Sequence, residues 1–254
     1  PVAIRSACLS LRKSKQHAKT LAELIEYGQL SPEMGDFLNT CISARRNLLV
    51  CGAPGPGKSS FLGAVAGASP EGERVITVEE VATISVDREE WLSLETRSSQ
   101  SDDGGQDLCD ILQILRGALR LSPDRLVVGD LRGIEALELL SAMASVNDGT
   151  VAAINSGGAT SALERFASFA RLSGPGASLE SLRELVASAV DVVVHVATFG
   201  DGVSRIAGIT EVLGVKNGAF VTEELFTFAS DGEYVANGRV PEFYRELEIL
   251  GMPH

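Results

Sequence analysis

Cysteine is scarce in this sequence, whose 254 residues include only four, at positions 8, 41, 51 and 109, and no two of them form a C-x-x-C pair. This spacing argues against a structural zinc site and against a dense disulfide framework. Long apolar runs are also missing, because no stretch approaches the roughly 18 residues that a membrane span needs. No basic segment followed by an apolar one opens the chain, as it would in a secretory signal. We therefore expect reduced thiols and a soluble, intracellular protein.

Positive charge is the second scarcity, since 22 Lys and Arg residues stand against 34 Asp and Glu residues and the net charge is -12. An acidic surface repels nucleic acid and anionic membranes, so we expect no nucleic-acid partner. The charge is unevenly spread, because every charged residue before Glu23 is basic: Arg5, Arg12, Lys13, Lys15 and Lys19. This arm is either a solvated linker or a segment that contacts phosphates or a partner, and the sequence leaves both readings open.

A glycine-rich loop lies between an apolar strand and a helix in residues 47–60. It follows the pattern G-x-x-x-x-G-K-S and consists of Gly52, Ala53, Pro54, Gly55, Pro56, Gly57, Lys58 and Ser59, with Ser60 next. Glycines allow positive φ and close approach, so successive backbone N–H groups can face a bound phosphate. Lys58 supplies charge for the β and γ phosphates, Ser59 a hydroxyl for Mg²⁺, and the helix its positive dipole end. The flanking strand and helix disfavour a chance match by an ordinary turn.

A second buried strand at residues 125–130 ends in the carboxylate of Asp130. An acid delivered from a neighbouring strand would hold Mg²⁺ or a water bound to it. The loop and this acid together imply that the protein binds ATP with Mg²⁺, using Ser59 and Asp130 as the metal ligands.

Strand and helix patterns alternate along residues 75–197, which is typical of a parallel sheet with crossover helices. Thr20 and Ser31 are predicted helix N-caps, and helices are predicted at residues 133–146 and 179–189 and a strand at 190–197. Asn217-Gly218 predicts an antiparallel hairpin, and Pro241 predicts the start of a terminal helix. The predicted fold is therefore α/β, with a mainly parallel sheet, a small C-terminal hairpin and a terminal helix.

Further segments occur in a fixed order along the chain: Ser31-Pro32-Glu33-Met34, Ser43-Ala44-Arg45-Arg46-Asn47, Leu94-Glu95-Thr96-Arg97, Val128-Gly129-Asp130-Leu131-Arg132-Gly133 and Ile209-Thr210-Glu211-Val212. With the glycine-rich loop, they make the chain resemble the secretion-ATPase superfamily of type II and type IV secretion systems. It is most similar to the CpaF/Tad-type ATPases of tight-adherence (Flp) pilus assembly. The resemblance implies a RecA-like P-loop ATPase domain over residues 20–254. Residues 1–19 would then be a linker and the last strand of a mostly absent N-terminal domain.

The resemblance also implies roles for residues outside the loop. Glu79 and Glu80 match an acidic pair near the γ-phosphate and the attacking water, Asp130 matches a second acidic motif, and Asn155 would hydrogen-bond phosphate. The basic positions that would stabilise charge developing on the phosphates are Arg97, Arg116, Arg120 and Arg132. A surface ion pair is an equal alternative for each arginine, and a solvated strand end is the alternative for the two glutamates.

Three positions depart from the family pattern. The family has Glu where this chain has Asp130 and His where it has Asn155, and Thr83 replaces a further acid. A misplacement near 1 Å can cost phosphoryl transfer about a hundredfold, whereas binding is less sensitive. We therefore expect nucleotide binding, with turnover that is slow or dependent on a partner.

Two functions of different kinds follow from the resemblance. The first is a cytoplasmic motor subunit that hydrolyses ATP within a homo-hexamer and works on an inner-membrane pilus or secretion platform protein, with which it associates peripherally. The second is a regulatory or structural subunit that binds nucleotide with weak or no hydrolysis, which the three departures favour. A small-molecule kinase is poorly supported because no acceptor-binding lid is evident.

Overall fold

Strands and helices alternate along the chain in the computed structural model, which describes residues 20–55, 57–86, 88–96, 110–145, 148–174 and 176–250. The predicted linker and strand within residues 1–19 lie outside these ranges, as do Pro56 and Arg97. The other candidate residues of the site fall within the described part of the chain.

A single sheet holds the described strands together. Six of them are parallel: β1 (Leu48–Gly52), β2 (Val75–Glu79), β3 (Trp91–Glu95), β4 (Arg125–Leu131), β5 (Val151–Asn155) and β6 (Val192–Thr198). Three antiparallel strands extend the sheet beyond β6: β7 (Ser204–Lys216), β8 (Ala219–Phe228) and β9 (Tyr234–Ala236). The strand order is β3-β2-β4-β5-β1-β6-β7-β8-β9, which places β1 near the centre.

Helices cover both faces of this sheet. They are α1 (Leu21–Glu26), α2 (Pro32–Ser43), α3 (Lys58–Gly67), α4 (Ile111–Arg120), α5 (Ala136–Met143), α6 (Ala159–Ser173), α7 (Leu179–Ala189) and α8 (Tyr244–Leu250). Successive strand residues point to opposite faces, so Leu48 and Val50 pack with α1, α2, α3 and α8, while Leu49 and Cys51 pack with α4 to α7. In the described ranges, no helix combines the length and the apolar character that crossing a lipid bilayer requires.

The local signals in the sequence mark most element boundaries. Thr20 and Ser31 accept hydrogen bonds from the backbone N–H groups of Glu23 (3.1 Å) and Met34 (3.3 Å), as predicted for N-caps. Asn217 and Gly218 have φ values of 54° and 77°, which is the backbone that a tight hairpin between β7 and β8 requires. The predicted α/β class, with a mainly parallel sheet, a hairpin and a terminal helix, is confirmed.

Some predicted boundaries were wrong. The helix predicted from Gly133 begins only at Ala136, because the Glu135 carboxylate accepts the N–H groups of Arg132 and Gly133 and holds a turn there. Val190 ends α7 by donating its N–H to Val186 and does not begin β6. The short strand β9 was not predicted, since three residues carry too little pattern to stand out.

Asn47 fastens the amino end of β1 to three neighbouring elements. Its buried side-chain amide donates to the carbonyl oxygens of Met143 (3.2 Å) and Ala189 (2.8 Å), at the ends of α5 and α7. Its side-chain oxygen accepts from the N–H of Thr150 (2.9 Å), just before β5. One side chain therefore satisfies three backbone groups that would otherwise be buried without partners.

Replacing Asn47 with alanine is expected to lower the free energy of unfolding by about 2–4 kcal/mol, because buried backbone groups lose their partners. Urea denaturation followed by circular dichroism measures the change. Asn39→Ala is the matched control, since Asn39 is exposed on α2 and its loss should cost less than about 0.5 kcal/mol. Equal effects of the two substitutions would contradict the assigned role of Asn47.

Candidate functional site

Several of the predicted site residues lie at the carboxyl edge of the parallel strands. Strands β2, β4, β5 and β1 are consecutive neighbours in the sheet. Glu79, Asn155 and Gly52 are the last residues of β2, β5 and β1, and Asp130 is the second-last residue of β4. In open parallel sheets, ligands bind outside the carboxyl ends of the strands. The topology therefore brings together acids and an amide that are far apart in the sequence.

The glycine-rich loop (residues 52–59) joins β1 to α3, which begins at Lys58. A Cβ atom at Gly52 would lie 2.3 Å from the carbonyl oxygen of Val196, so only glycine fits beside β6. Gly57 has a φ of 127°, and a Cβ there would lie 2.8 Å from the Cβ of Ser204. Ala53, Pro54 and Gly55 are exposed at the tip of the loop. Because the two glycines lack side chains, the loop packs closely against β6 and β7, while its tip is exposed to solvent.

The Lys58 ammonium is buried and faces three oxygen acceptors. It donates to the carbonyl oxygens of Gly52 (3.2 Å) and Ala53 (2.7 Å) and to the Oδ1 of Asn155 (2.9 Å). Burial lowers the pKa of Lys58 below its ordinary value, and the nearby carboxylate of Asp130 opposes that shift. A cation held in this way offers a binding point for an anion.

Asn155 links Lys58 to a chain of charged groups. Its amide nitrogen lies 2.9 Å from each carboxylate oxygen of Asp130, which in turn accepts from the Nε of Arg132 at 3.3 Å. Arg132 also forms an ion pair with Glu80. The structure therefore joins five of the predicted residues, from Lys58 to Glu80, in one continuous network.

Glu79 and Glu80 face different surroundings, although they are adjacent in sequence. The side chain of Glu79 is buried, and its carboxylate accepts from the backbone N–H groups of Thr83 (3.1 Å) and Ile84 (3.1 Å). It also accepts from the Thr83 hydroxyl at 2.7 Å. Glu80 is partly exposed and paired with Arg132. Glu79 thus organises the turn after β2, whereas Glu80 faces the network of Arg132 and Asp130.

The other two candidate arginines in the described part of the chain, Arg116 and Arg120, lie on α4. Arg116 forms an exposed ion pair with Glu138 of α5 at 3.1 Å, and Arg120 is exposed at the carboxyl end of α4. For Arg116 the structure contains the surface ion pair that was the alternative to a catalytic role. Exposed arginines on one face remain accessible to another molecule, so their predicted contact with a nucleotide across a subunit boundary stays a prediction.

Two residues that shape the site were missed by the sequence analysis. Ser204 of β7 lies under Gly57, and Glu135 is buried and holds the turn that follows β4 through the N–H groups of Arg132 (2.6 Å) and Gly133 (3.4 Å). An acid three residues after Arg132 and just before a helix was a local signal for Glu135. Ser204 had no such signal, because its contact joins residues that are far apart in the chain.

The side chains of the site are too few to bind Mg²⁺ by themselves, and a phosphate group would have to supply further oxygen ligands. Within the ranges that the structure describes, no group of three or more His, Cys, Asp or Glu side chains is arranged to hold a metal ion. Ser59 and Asp130 supply a hydroxyl and a carboxylate, which are hard oxygen ligands, and Mg²⁺ in such sites keeps waters and phosphate oxygens as its other ligands. The residues therefore fit a magnesium ion that arrives with a nucleotide.

A glycine-rich loop with a buried lysine, between a central parallel strand and a helix, is typical of P-loop nucleotide-binding proteins. The family model described as "Type II/IV secretion system protein" matches residues 1–198. The chain belongs to this family of secretion-system proteins.

Individual relatives agree with this assignment. A putative conjugal transfer protein of Mycobacterium tuberculosis is 34% identical over 212 residues, which are 82% of this chain and 58% of that protein. The VirB11 protein of Agrobacterium fabrum is 30% identical over 167 residues, 65% of this chain and 48% of that protein. The crystal structure of the VirB11 ATPase from the Brucella suis type IV secretion system, in complex with sulphate, matches with a TM-score of 0.61. It is 27% identical and covers 74% of this chain and 54% of that one. The chain thus spans about half the length of these relatives.

Gly129 provides a test of the contact between β4 and Glu79. A Cβ atom at Gly129 would lie 2.8 Å from the Cγ of Glu79, whereas nothing lies within 4 Å of one at Gly117 in α4. Gly129→Ala is expected to lower the free energy of unfolding by about 1–3 kcal/mol through overpacking. Gly117→Ala, the matched control, should raise it by up to about 1 kcal/mol because alanine favours a helix. Thermal and urea unfolding measure both changes, and a stabilising Gly129→Ala would contradict the contact.

Proposed function

We propose that this chain binds ATP with Mg²⁺ at the glycine-rich loop and hydrolyses it. The observation that carries the proposal is the buried Lys58 ammonium, held at the carboxyl edge of the sheet by Gly52, Ala53 and Asn155. All three hydrogen-bond acceptors of the Lys58 ammonium are neutral, and the Asp130 carboxylate lies behind Asn155, so phosphate oxygens are natural partners for this cation. Family membership and the similarity to a VirB11 ATPase support the same function.

Each residue has a defined task in this proposal. The loop residues other than Pro54 and Pro56, which lack an N–H group, would direct their backbone N–H groups to the phosphates. Lys58 would donate to the β and γ phosphates, and Ser59 and Asp130 would hold Mg²⁺. Bound Mg²⁺ offsets the charge of the phosphate oxygens. Glu80 is the carboxylate that can reach an attacking water, because Glu79 is engaged by the turn at residues 83–84. Arg97, Arg116, Arg120 and Arg132 are the candidates that stabilise developing charge.

Within a larger assembly, the proposed role is that of a motor subunit. The relatives are a conjugal transfer protein and a VirB11 protein, and the matching crystal structure is that of a type IV secretion ATPase. We propose that this chain works within a homo-hexamer in the cytoplasm, on a platform protein of the inner membrane. Flp/Tad pilus assembly is the specific system that the sequence motifs favour, and nucleic acid is not proposed as a partner.

A regulatory subunit that binds nucleotide and hydrolyses it weakly is the second candidate. The observation that favours it is the pairing of Asn155 with both Lys58 and Asp130. An amide at this position carries neither a proton nor a charge to the phosphates. The shorter Asp130 side chain is also held by Arg132 and is therefore restrained on its strand. Both features preserve binding better than catalysis.

Nucleotide binding and hydrolysis are tested together with Lys58→Ala. The wild-type chain should bind ADP and ATP with Mg²⁺ by titration calorimetry, and Lys58→Ala should weaken binding at least tenfold, because a charged hydrogen bond to phosphate contributes about 1.5–3 kcal/mol. Phosphate release by the wild type above the Lys58→Ala background would support the motor. Binding without such release would favour the regulatory subunit, and absence of binding at millimolar nucleotide would overturn both.

Restoring the family residues tests the account of slow turnover. Asp130→Glu combined with Asn155→His is expected to raise phosphate release about tenfold to a hundredfold, because glutamate extends the carboxylate by one methylene and histidine can carry a proton or a charge. The affinity for ADP should change much less. Lys216→Gln serves as a surface control in the same assay, because Lys216 is exposed at the hairpin end of β7. An unchanged rate in the double variant would refute the account.

A further inference from the structure

Thr83 lies between a glutamate and the serine proposed as a ligand of Mg²⁺. Its hydroxyl oxygen is 2.7 Å from the Oε1 of Glu79 and 3.0 Å from the Oγ of Ser59. Thr83 replaces an acid of the family pattern, which from the sequence alone suggests weakened catalysis. The contacts indicate a different interpretation, which rests on the function proposed above.

The direction of these two hydrogen bonds is fixed by their chemistry. An ionised carboxylate can only accept, so the Thr83 hydroxyl must donate its single proton to Glu79. Thr83 then has only lone pairs left for Ser59, and the Ser59 hydroxyl must donate its proton to Thr83. The lone pairs of the Ser59 oxygen are thereby left free, and these are the electrons that a metal ion requires of a hydroxyl ligand.

The turn that carries Thr83 is held independently of its hydroxyl. The backbone N–H groups of Thr83 and Ile84 each contact both oxygens of Glu79, at 3.1–3.2 Å. Glu79 is buried, and Gly129 leaves room for its side chain. Thr83 itself is exposed, so removing its hydroxyl leaves the hydrophobic core and the turn intact.

We propose that Thr83 is a positioning residue that orients the Ser59 hydroxyl for Mg²⁺, with Glu79 fixing the orientation of Thr83 in turn. Through these two hydrogen bonds, the buried Glu79 carboxylate on β2 determines the orientation of the Ser59 hydroxyl in the first turn of α3. Where the family pattern has an acid, this chain therefore has a neutral hydroxyl group that connects Glu79 with Ser59. Glu79 then acts on the metal site through two hydroxyl groups, without direct contact.

The test measures how strongly Mg²⁺ improves ADP binding by the 254-residue chain. Dissociation constants are determined by calorimetry in excess EDTA and in excess Mg²⁺, and their ratio is the magnesium advantage. Thr83→Val should reduce this ratio about threefold to tenfold, as expected for a lost hydrogen bond, with affinity in EDTA unchanged. Thr83→Ser, which keeps the hydroxyl, should retain most of the advantage.

A double-mutant cycle separates positioning from a merely structural effect. In a Ser59→Ala background, Thr83→Val should have no further effect on the ratio, because the two residues act in series. Thr222→Val is the matched control, since Thr222 lies on β8 opposite Val212 and is separated from β1 by two strands. It should leave the ratio unchanged.

Different failures of this experiment have different meanings. An unchanged ratio in Thr83→Val, a loss of affinity that is equal in EDTA and Mg²⁺, or a persistent effect in the Ser59→Ala background would overturn the role of Thr83 alone. Failure of the wild-type chain to bind ADP in either condition would overturn the proposed function and this inference with it.

Discussion

The arrangement at the carboxyl edge of the sheet depends on one buried cation, the Lys58 ammonium, and on the oxygen atoms around it. Those oxygens come from the loop itself and from Asn155 of β5, so a single hydrogen-bonding centre joins β1, α3 and β5. Asn155 passes the connection to Asp130 on β4. A phosphate that takes the Lys58 hydrogen bonds therefore also affects the groups behind Asn155, because they share one network.

Glu79 and Glu80 are adjacent at the end of β2 but have different structural roles. Glu79 is the last residue of β2, whereas Glu80 lies in the bend that follows the strand. Glu79 is turned inward and is occupied by the N–H groups of Thr83 and Ile84, while Glu80 is turned toward Arg132. The sequence shows two equivalent acids, but only the three-dimensional surroundings separate a residue that builds the site from one that can face a ligand.

The success of sequence-based prediction here follows from how local each signal is. The caps at Thr20 and Ser31, the Asn217-Gly218 turn and the glycine-rich loop were recognised because neighbouring residues determine each of them. The meeting of Asp130 with Asn155 was implied by the alternation of strands and helices, which fixes a common sheet edge. By contrast, the contact of Ser204 with Gly57 depends on tertiary structure, and so does the hydrogen bond between Thr83 and Ser59. No sequence pattern predicts either of these two contacts.

The antiparallel end of the sheet has a consequence for behaviour at high concentration. Strand β9 has only three residues and pairs only with Phe226, Thr227 and Phe228 of β8. The preceding part of β8 carries Glu223 and Glu224. Short strands and charged side chains both discourage edge-to-edge addition of another chain. The short strand β9 and the charged residues of β8 therefore protect this end of the sheet against edge-to-edge pairing with another chain.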